Sequence, residues 1–189
     1  MLDKKKLLFI ENYNSNFVKL VKINKDFNEN VLKTVAVLAR IKKNKKKVLI
    51  FGNGGSAAIA SHVSLDLANV NGVCCQNCND SSLITCLSND FGYDNWVTKS
   101  MSFYHKPGDL VILISSSGNS KNMIKAAKIL KKNKKNFLIT FTGFSKKNTL
   151  KKLGNVNFWV NSSNYNQIEN LHQYWLLLIV DLMAKFYKK

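Results

Sequence analysis

One stretch near position 50 constrains the fold of this chain more than any other. Residues 48–51 form a continuous apolar run, which is typical of a short strand buried in a parallel sheet. Three glycines follow within residues 52–55, and Ser56 then stands where a helix N-cap is expected. A strand, a glycine turn and a helix start together favour a phosphate-binding site, although glycine also serves the geometry of ordinary turns.

The rest of the chain alternates predicted strands with predicted helices. Further strands are expected at residues 73–78, 110–114, 137–141 and 158–160. Helices are expected at 83–87, around 96–103, at 121–132 and at 167–187, with a turn at 89–93. This alternation predicts an α/β fold, a three-layer doubly wound parallel sheet with right-handed crossovers and a long C-terminal helix.

Two amphipathic helices are predicted ahead of the first strand, over residues 3–22 and 27–43. The second would place five apolar side chains inward: Val31, Leu32, Val35, Leu38 and Ile41. A minimal α/β unit has no place for such a pair, so we expect residues 1–45 to pack on the core or on a neighbouring subunit. The 189 residues are expected to form a single domain.

A second special loop, residues 115–120, follows the predicted strand at 110–114 and opens the next helix. It carries four hydroxyl groups, from Ser115, Ser116, Ser117 and Ser120. Because the carboxyl ends of parallel strands meet at one edge of a sheet, this loop and the glycine loop should lie together. Hydroxyl and backbone N–H groups can hold the terminal oxygens of a phosphate without any arginine.

The formal charge of +18 draws in anionic small molecules and would also fit nucleic acid. The excess is almost all scattered lysine, however, with Arg40 as the single arginine. Because arginine forks and interleaved aromatic residues are missing, nucleic acid is not an expected partner. No apolar run is long enough to span a membrane, and the first residues lack a signal-peptide core, so we expect a cytoplasmic protein.

The cysteines are clustered at Cys74, Cys75, Cys78 and Cys86. The spacing of Cys75 and Cys78 fits redox chemistry or half a zinc site, but a second pair at metal-binding spacing is missing. We expect reduced thiols that act as small apolar side chains.

These segments resemble the SIS (sugar isomerase) domain family, and within it the phosphoheptose isomerases. The matching pieces are FGNGGSAAIASH (51–62), SNDFGYD (88–94), GDLVILISSSGNSKNMIKAA (108–127) and ENLHQ (169–173). The resemblance implies an aldose–ketose isomerase that converts sedoheptulose 7-phosphate to D-glycero-D-manno-heptose 7-phosphate through an enediol. It also implies a homotetramer in which neighbouring subunits complete each site.

The resemblance also assigns residues to the substrate. Its phosphate would be held by Ser115, Ser116, Ser117 and Ser120. The sugar would be bound by Asn53, Gly54, Gly55, Ser56, Asn89 and Asp90.

The family's catalytic and zinc-binding positions match this chain only in part. His62 matches the first histidine, and Asp66, one turn later, stands where the family has its catalytic glutamate. Glu169 occupies the position of a glutamine, His172 matches a histidine of the tail, and Leu177 replaces the last, catalytic histidine. The resemblance therefore implies Asp66, Glu169 and His172 as catalytic residues, and one zinc ion bound by His62, Asp66 and Glu169.

Two departures keep a second interpretation open. A leucine cannot move a proton, and aspartate is shorter than glutamate by one bond, about 1.5 Å. The alternative is a non-catalytic member of the fold, either a phosphosugar-binding protein or a replication-initiator-associating protein. His172 on an apolar helix would also fit a packing role.

Overall fold

The computed structural model describes residues 3–21 and 25–187, and in this part of the chain five parallel strands form one sheet in the order β2-β1-β3-β4-β5. The helices are α1 (Lys4–Val21), α2 (Lys25–Lys43), α3 (Gly55–Asn69), α4 (Ser81–Phe91), α5 (Trp96–Tyr104), α6 (Lys121–Lys131) and α7 (Tyr165–Phe186). The strands are β1 (Val48–Phe51), β2 (Cys75–Asn77), β3 (Leu110–Ser115), β4 (Phe137–Thr142) and β5 (Val156–Trp159). Residues 1, 2, 22–24, 188 and 189 of the predicted domain lie outside the described residues. Residue 22 is also the last residue of the first predicted helix.

The sheet is covered on both faces, which confirms the predicted three layers. Along β1, Val48 and Ile50 pack with α2, α3 and α7, whereas Leu49 and Phe51 pack with α4, α5 and α6. Every residue of β1 and β3 is buried, because a parallel strand with helices on both sides has no solvent face.

The strand order reverses between β1 and β3. From β1 the chain runs outward to β2, and it then returns to pair β3 against the other side of β1. The glycine loop after β1 and the serine loop after β3 therefore meet at the carboxyl edge, where open α/β sheets bind ligands. This juxtaposition confirms the arrangement expected from the sequence.

The opposite, amino edge is fastened by a buried ion pair. Asp109 accepts hydrogen bonds from the backbone N–H groups of Lys47 (3.2 Å) and Lys106 (2.8 Å), and its carboxylate lies 2.8 Å from Lys47 Nζ. These contacts join the residue before β1 to the turn before β3. Burial alone would raise the pKa of Asp109, but the hydrogen bonds from Lys47 and Lys106 outweigh it and lower that pKa.

The N-terminal helices differ from each other in burial. On α2 the inward stripe includes Thr34 and Val37, whereas Leu32, predicted to be inward, is 61% exposed. At about 100° per residue, Leu32 lies on the side of the helix roughly opposite Thr34, Val37 and Ile41, although it is only three residues from Val35. None of the residues of α1 is buried, and Leu8, Phe9 and Ile10 are exposed along it.

Three local predictions were wrong. The turn expected at 89–93 is largely the last part of α4, which continues to Phe91 and ends at Gly92 with φ 82°. Strand β5 begins at Val156 rather than at 158, and β2 is a shorter, half-buried edge strand rather than a buried one over 73–78. Gly92 caps the end of α4, and the pairing of Val156 with Ile139 of β4 sets the start of β5.

All four cysteines are free, as expected, but Cys74 and Cys86 are exposed, so they do not serve as buried apolar side chains. Burial raises the pKa of Cys75 to about 12 and that of Cys78 to about 11, so both remain thiols at neutral pH. Within residues 3–21 and 25–187, no helix has the length and apolar character to cross a membrane.

Candidate functional site

The glycine loop leads directly into α3. The helix starts at Gly55, and its N-cap is Gly54, whose φ of 55° favours glycine. The prediction that Ser56 is the N-cap was therefore wrong. Ser56 lies in the first turn, where its N–H donates to the Asn53 carbonyl (3.0 Å), and with 3% exposure its side chain offers little surface to a ligand.

Three hydrogen bonds fix the side chain of Asn53. Its Nδ2 donates to Asn122 Oδ1 (3.1 Å), and its Oδ1 accepts from Asn122 Nδ2 (2.9 Å) and from the Tyr93 hydroxyl (3.1 Å). Both acceptor positions of Oδ1 are therefore occupied, whereas Nδ2 has a second hydrogen that takes no part in these three bonds. Asn53 can therefore act on a ligand as a hydrogen-bond donor.

Sequence reasoning assigned no role to Asn122 or Tyr93. Asn122 is buried in the first turn of α6, so its pair with Asn53 ties the start of that helix to the glycine loop. A polar residue on the buried face of an amphipathic helix was the available signal for Asn122. The contact of Tyr93 is long-range and had no signal in the sequence.

The serine loop lies at the start of α6, where Ser117 and Ser120 are half-buried, whereas Ser115 and Ser116 are buried and offer as little side-chain surface as Ser56. Ser120 is the N-cap of α6 but makes no capping bond, and its Oγ lies 2.9 Å from Ser115 Oγ instead. The first intrahelical hydrogen bond runs from Ile124 N to Ser120 O, so the N–H groups of the preceding turn have no carbonyl within α6. This arrangement suits the oxygens of a phosphate.

The segment after β4 donates hydrogen bonds to the backbone of the serine loop. The Gly143 N–H donates to the Ser116 carbonyl (2.8 Å), and the Leu150 N–H donates to the Gly118 carbonyl (3.0 Å). The Ser117 hydroxyl accepts from the Asn119 N–H (3.2 Å) within the loop itself. The predicted phosphate residues are therefore brought together on a backbone that is held in place.

The Glu169 carboxylate lies between the two loops. Its Oε1 accepts from the Ser116 hydroxyl at 3.5 Å. It also lies against Gly55, where a Cβ atom would overlap the carboxylate and displace it. Helix α7 thus brings a negative charge to the meeting point of both loops.

Further along α3 and α7, three side chains form a hydrogen-bonded chain. His62 Nε2 lies 3.2 Å from Asp66 Oδ2, and His62 Nδ1 lies 3.2 Å from Gln173 Nε2. Gln173 is one turn after Glu169 on the same face of α7. The rise of α3 places His62 about 10 Å beyond Gly55 along the helix axis.

The predicted zinc ligands do not come together within one chain. His62 and Asp66 are neighbours, but Glu169 lies against Gly55 and Ser116 instead. Among the residues that the structure describes, no three His, Cys, Asp or Glu side chains are placed to hold a metal ion. Because a catalytic zinc site uses three protein ligands, these residues do not fit the metal.

The structure does not support the predicted catalytic role of His172. This residue is fully buried, its Nε2 lies 3.1 Å from the Thr142 carbonyl, and its ring packs edge-on against Phe141. Burial lowers its pKa to about 4, so the ring is neutral. A side chain without exposed surface cannot touch a substrate, and His172 is a packing residue of α7.

The remaining predicted residues flank this region. Asn89 and Asp90 are exposed in the last turn of α4, where Asn89 Nδ2 donates to Asp90 Oδ1 (3.0 Å). Neither has a hydrogen bond to the glycine or serine loop among the described residues. Leu177 is half-buried, one turn beyond Gln173 on α7.

Comparison with known proteins identifies the family. A family model described as the SIS domain matches residues 12–143. The phosphoheptose isomerase of Buchnera aphidicola subsp. Acyrthosiphon pisum (strain Tuc7) is 32% identical over 192 residues, covering 98% of both chains.

Two solved structures share the fold. The phosphoheptose isomerase of Francisella tularensis gives a TM-score of 0.83 at 22% identity, covering 98% of this chain and 100% of that one. The enzyme from Neisseria gonorrhoeae gives 0.79 at 24% identity, covering 94% and 98%. The fold, the paired loops and a full-length relative above 30% identity agree: this chain belongs to the SIS-domain family, together with the phosphoheptose isomerases.

Proposed function

We propose that this protein is a phosphosugar aldose–ketose isomerase that converts sedoheptulose 7-phosphate to D-glycero-D-manno-heptose 7-phosphate. The enzyme class and the substrate agree with its full-length relative named phosphoheptose isomerase. The four free cysteines fit a reducing compartment, and a cytoplasmic location is part of this proposal.

One geometric observation carries the proposal. The serine loop, Glu169 and the His62–Asp66 pair follow one another along the contact between α3 and α7. An extended heptose 7-phosphate measures about 10 Å from phosphorus to C1, from ordinary bond lengths. The rise of α3 places Asp66 about 16 Å beyond Gly55 along the helix axis, and its carboxylate lies 3.2 Å from the His62 ring, one turn nearer to the loops. In the proposed binding mode, the phosphate lies on the serine loop and the carbonyl end of the sugar points along α3 towards Asp66.

In the proposed reaction, Asp66 is the base. It removes a proton from C1 while the C2 carbonyl oxygen gains a proton, which gives the enediol. Return of the carbon proton to C2, with loss of the O1 proton, leaves an aldehyde at C1. Asn53 donates its remaining Nδ2 hydrogen to a sugar oxygen, and Glu169 lies near enough to the serine loop to bind a sugar hydroxyl or exchange its proton.

We propose that the enzyme is a homotetramer in which neighbouring subunits complete the sites. The exposed apolar side chains of α1 support a contact with another copy. Leu65 and Tyr174 support it as well, because they adjoin Asp66 and Gln173 in sequence and are 64% and 48% exposed. Sedimentation analysis should give four times the chain mass.

Leu177 favours a second candidate function. Position 177 lies one turn beyond Gln173 on α7 and is where the family has its last catalytic histidine. Here it holds an apolar side chain. A protein that binds the phosphosugar without turning it over would keep the serine loop and dispense with this group. This non-catalytic hypothesis predicts that the protein binds the phosphosugar without exchanging the sugar's hydrogens.

The test is hydrogen exchange at C1 of sedoheptulose 7-phosphate and at C2 of the aldose product, followed by NMR in D2O with the purified full chain. We expect deuterium incorporation and aldose formation, both lost in Asp66→Asn. Ser120→Ala should weaken binding of the phosphosugar about twofold to tenfold, the value of one hydroxyl hydrogen bond. Ser163→Ala, an exposed serine outside the site, is the matched control.

Binding that depends on Ser120, with no exchange in the wild type, would establish the non-catalytic hypothesis. Exchange that survives in Asp66→Asn would remove Asp66 as the base. The measurements are made with and without added zinc, so that a metal-dependent reaction is also detected.

A further inference from the structure

Both ring nitrogens of His62 are already engaged. An amide nitrogen can only donate, so Gln173 Nε2 donates to His62 Nδ1 at 3.2 Å, and Nδ1 carries no proton. The ring proton therefore lies on Nε2, which is 3.2 Å from Asp66 Oδ2 and donates to it. Gln173 therefore donates to His62, and His62 donates to the carboxylate of Asp66, which is the final acceptor.

We propose that Gln173 is a positioning residue: by holding His62 in the Nε2–H form, it directs a hydrogen bond onto Asp66 and occupies the nitrogen lone pair that a metal would need. That Asp66 acts as a base rests on the proposed function. Which ring nitrogen of His62 carries the proton does not depend on it. In this role Gln173 acts through His62 rather than on the sugar directly.

This chain of hydrogen bonds takes the place of a metal in ordering the site. A neutral histidine binds a metal through an unprotonated ring nitrogen, but here Nε2 holds a proton and Nδ1 accepts from Gln173. With Oδ2 held by His62, Asp66 offers Oδ1 for proton transfer. The short side chain of aspartate gains a fixed direction from this contact, which matters because a 1 Å misplacement costs on the order of a hundredfold in rate.

The decisive measurement is long-range 1H–15N NMR of the histidine rings in the uniformly labelled full chain at one neutral pH. The His62 signals are assigned by their loss in His62→Gln. We expect Nδ1 of His62 to be unprotonated in the wild type and to carry a proton in Gln173→Glu, where a carboxylate acceptor replaces the amide donor. Asn170→Glu adds the same charge at an exposed position of α7 and should leave Nδ1 unprotonated.

A proton on Nδ1 in the wild type would overturn the proposal, and so would an unprotonated Nδ1 in Gln173→Glu. Stoichiometric zinc in the wild type, measured against a chromophoric chelator and lost in His62→Gln, would also overturn it. Each of these results is independent of whether the protein turns over a sugar.

The kinetic arm tests the catalytic consequence. Gln173→Met, which keeps the length of the side chain without its donor, should lower kcat about tenfold with KM within about twofold, because only the orientation of the base is lost. Asn170→Ala should leave both values unchanged. An unchanged kcat in Gln173→Met would show that the hydrogen bond does not position Asp66, and absent turnover in the wild type would count against the proposed function alone.

Discussion

The contact between Gly55 and Glu169 makes a substitution that should separate activity from stability. In Gly55→Ala, the new Cβ would lie 2.7 Å from Glu169 Cδ and 2.9 Å from Oε1, against the 3.4 Å of an ordinary contact. The carboxylate must therefore retreat by about 1 Å. If Glu169 acts on the substrate as proposed, a displacement of that size lowers kcat/KM by on the order of a hundredfold.

The fold should tolerate the same change. Gly55 does not have a positive φ, and the displaced atoms are the far end of a flexible side chain. Replacing glycine by alanine at a compatible position stabilises by about 0.4–1 kcal/mol through the unfolded chain, equivalent to a rise in Tm of at most about 4 °C. Isomerase kinetics and thermal unfolding of the same preparation measure both effects.

Two further variants complete this experiment. Ala58→Ser, at an exposed position of the same helix turn, should change neither property. Glu169→Asp combined with Gly55→Ala shortens the side chain by one bond, about 1.5 Å, and should relieve the overlap. Activity within threefold of wild type in Gly55→Ala would refute the reasoning, because the Glu169 carboxylate would then have no fixed place between the loops. A fall of several degrees in Tm would refute the claim that the fold is indifferent.

Two other predictions concern the amide pair of Asn53 and Asn122 and the ion pair at the amino edge of the sheet. Asn122→Leu should leave Asn53 Oδ1 without one of its donors and destabilise the protein by about 1–3 kcal/mol in urea unfolding, with a raised KM; an unchanged midpoint would show that the amide pair is dispensable. Because the pKa of Asp109 is lower in the folded than in the unfolded protein, its stabilisation is complete above the unfolded pKa of about 3.9 and is lost as pH falls through the folded pKa. Urea unfolding between pH 6 and 2.5 should therefore show a steeper acid decline for wild type than for Asp109→Asn, and parallel curves would contradict the assignment.

The sheet was predictable because its strongest signals are local. The apolar runs of β1 and β3 and the glycine and serine loops after them appear in the sequence as continuous segments, and the topology of a parallel sheet then brings the loops together. The end of α4 was harder to predict from the sequence. The run of polar residues around Asn89 is typical of a turn, and only the structure shows that the helix continues to the cap at Gly92. Leu32 was misplaced for a similar reason, since an apolar residue next to a helical stripe looks inward by composition alone.

The candidate site was predictable only where a motif carried it. The serine loop, Asn53 and Gly55 were found in this way, but the partners of each side chain were not. Whether Glu169 joins His62 or lies against Gly55 depends on the packing of α7 on α3, which is a long-range contact. Gln173 and Asn122 are ordinary amides in the sequence, and they gain importance only from the atoms that they face.

Leu177 has a consequence for the fate of the transferred hydrogen. An apolar side chain in this part of α7 adds no group that could pass the proton from Asp66 to water. In the proposed reaction, the Asp66 carboxylate, whose side chain is 26% exposed, then returns part of the hydrogen that it takes from C1 to the same face of C2 before solvent exchanges the rest. Sugar labelled with tritium at C1 would in that case yield product that keeps part of the label at C2, and the retained fraction would record how long Asp66 holds a proton apart from the solvent.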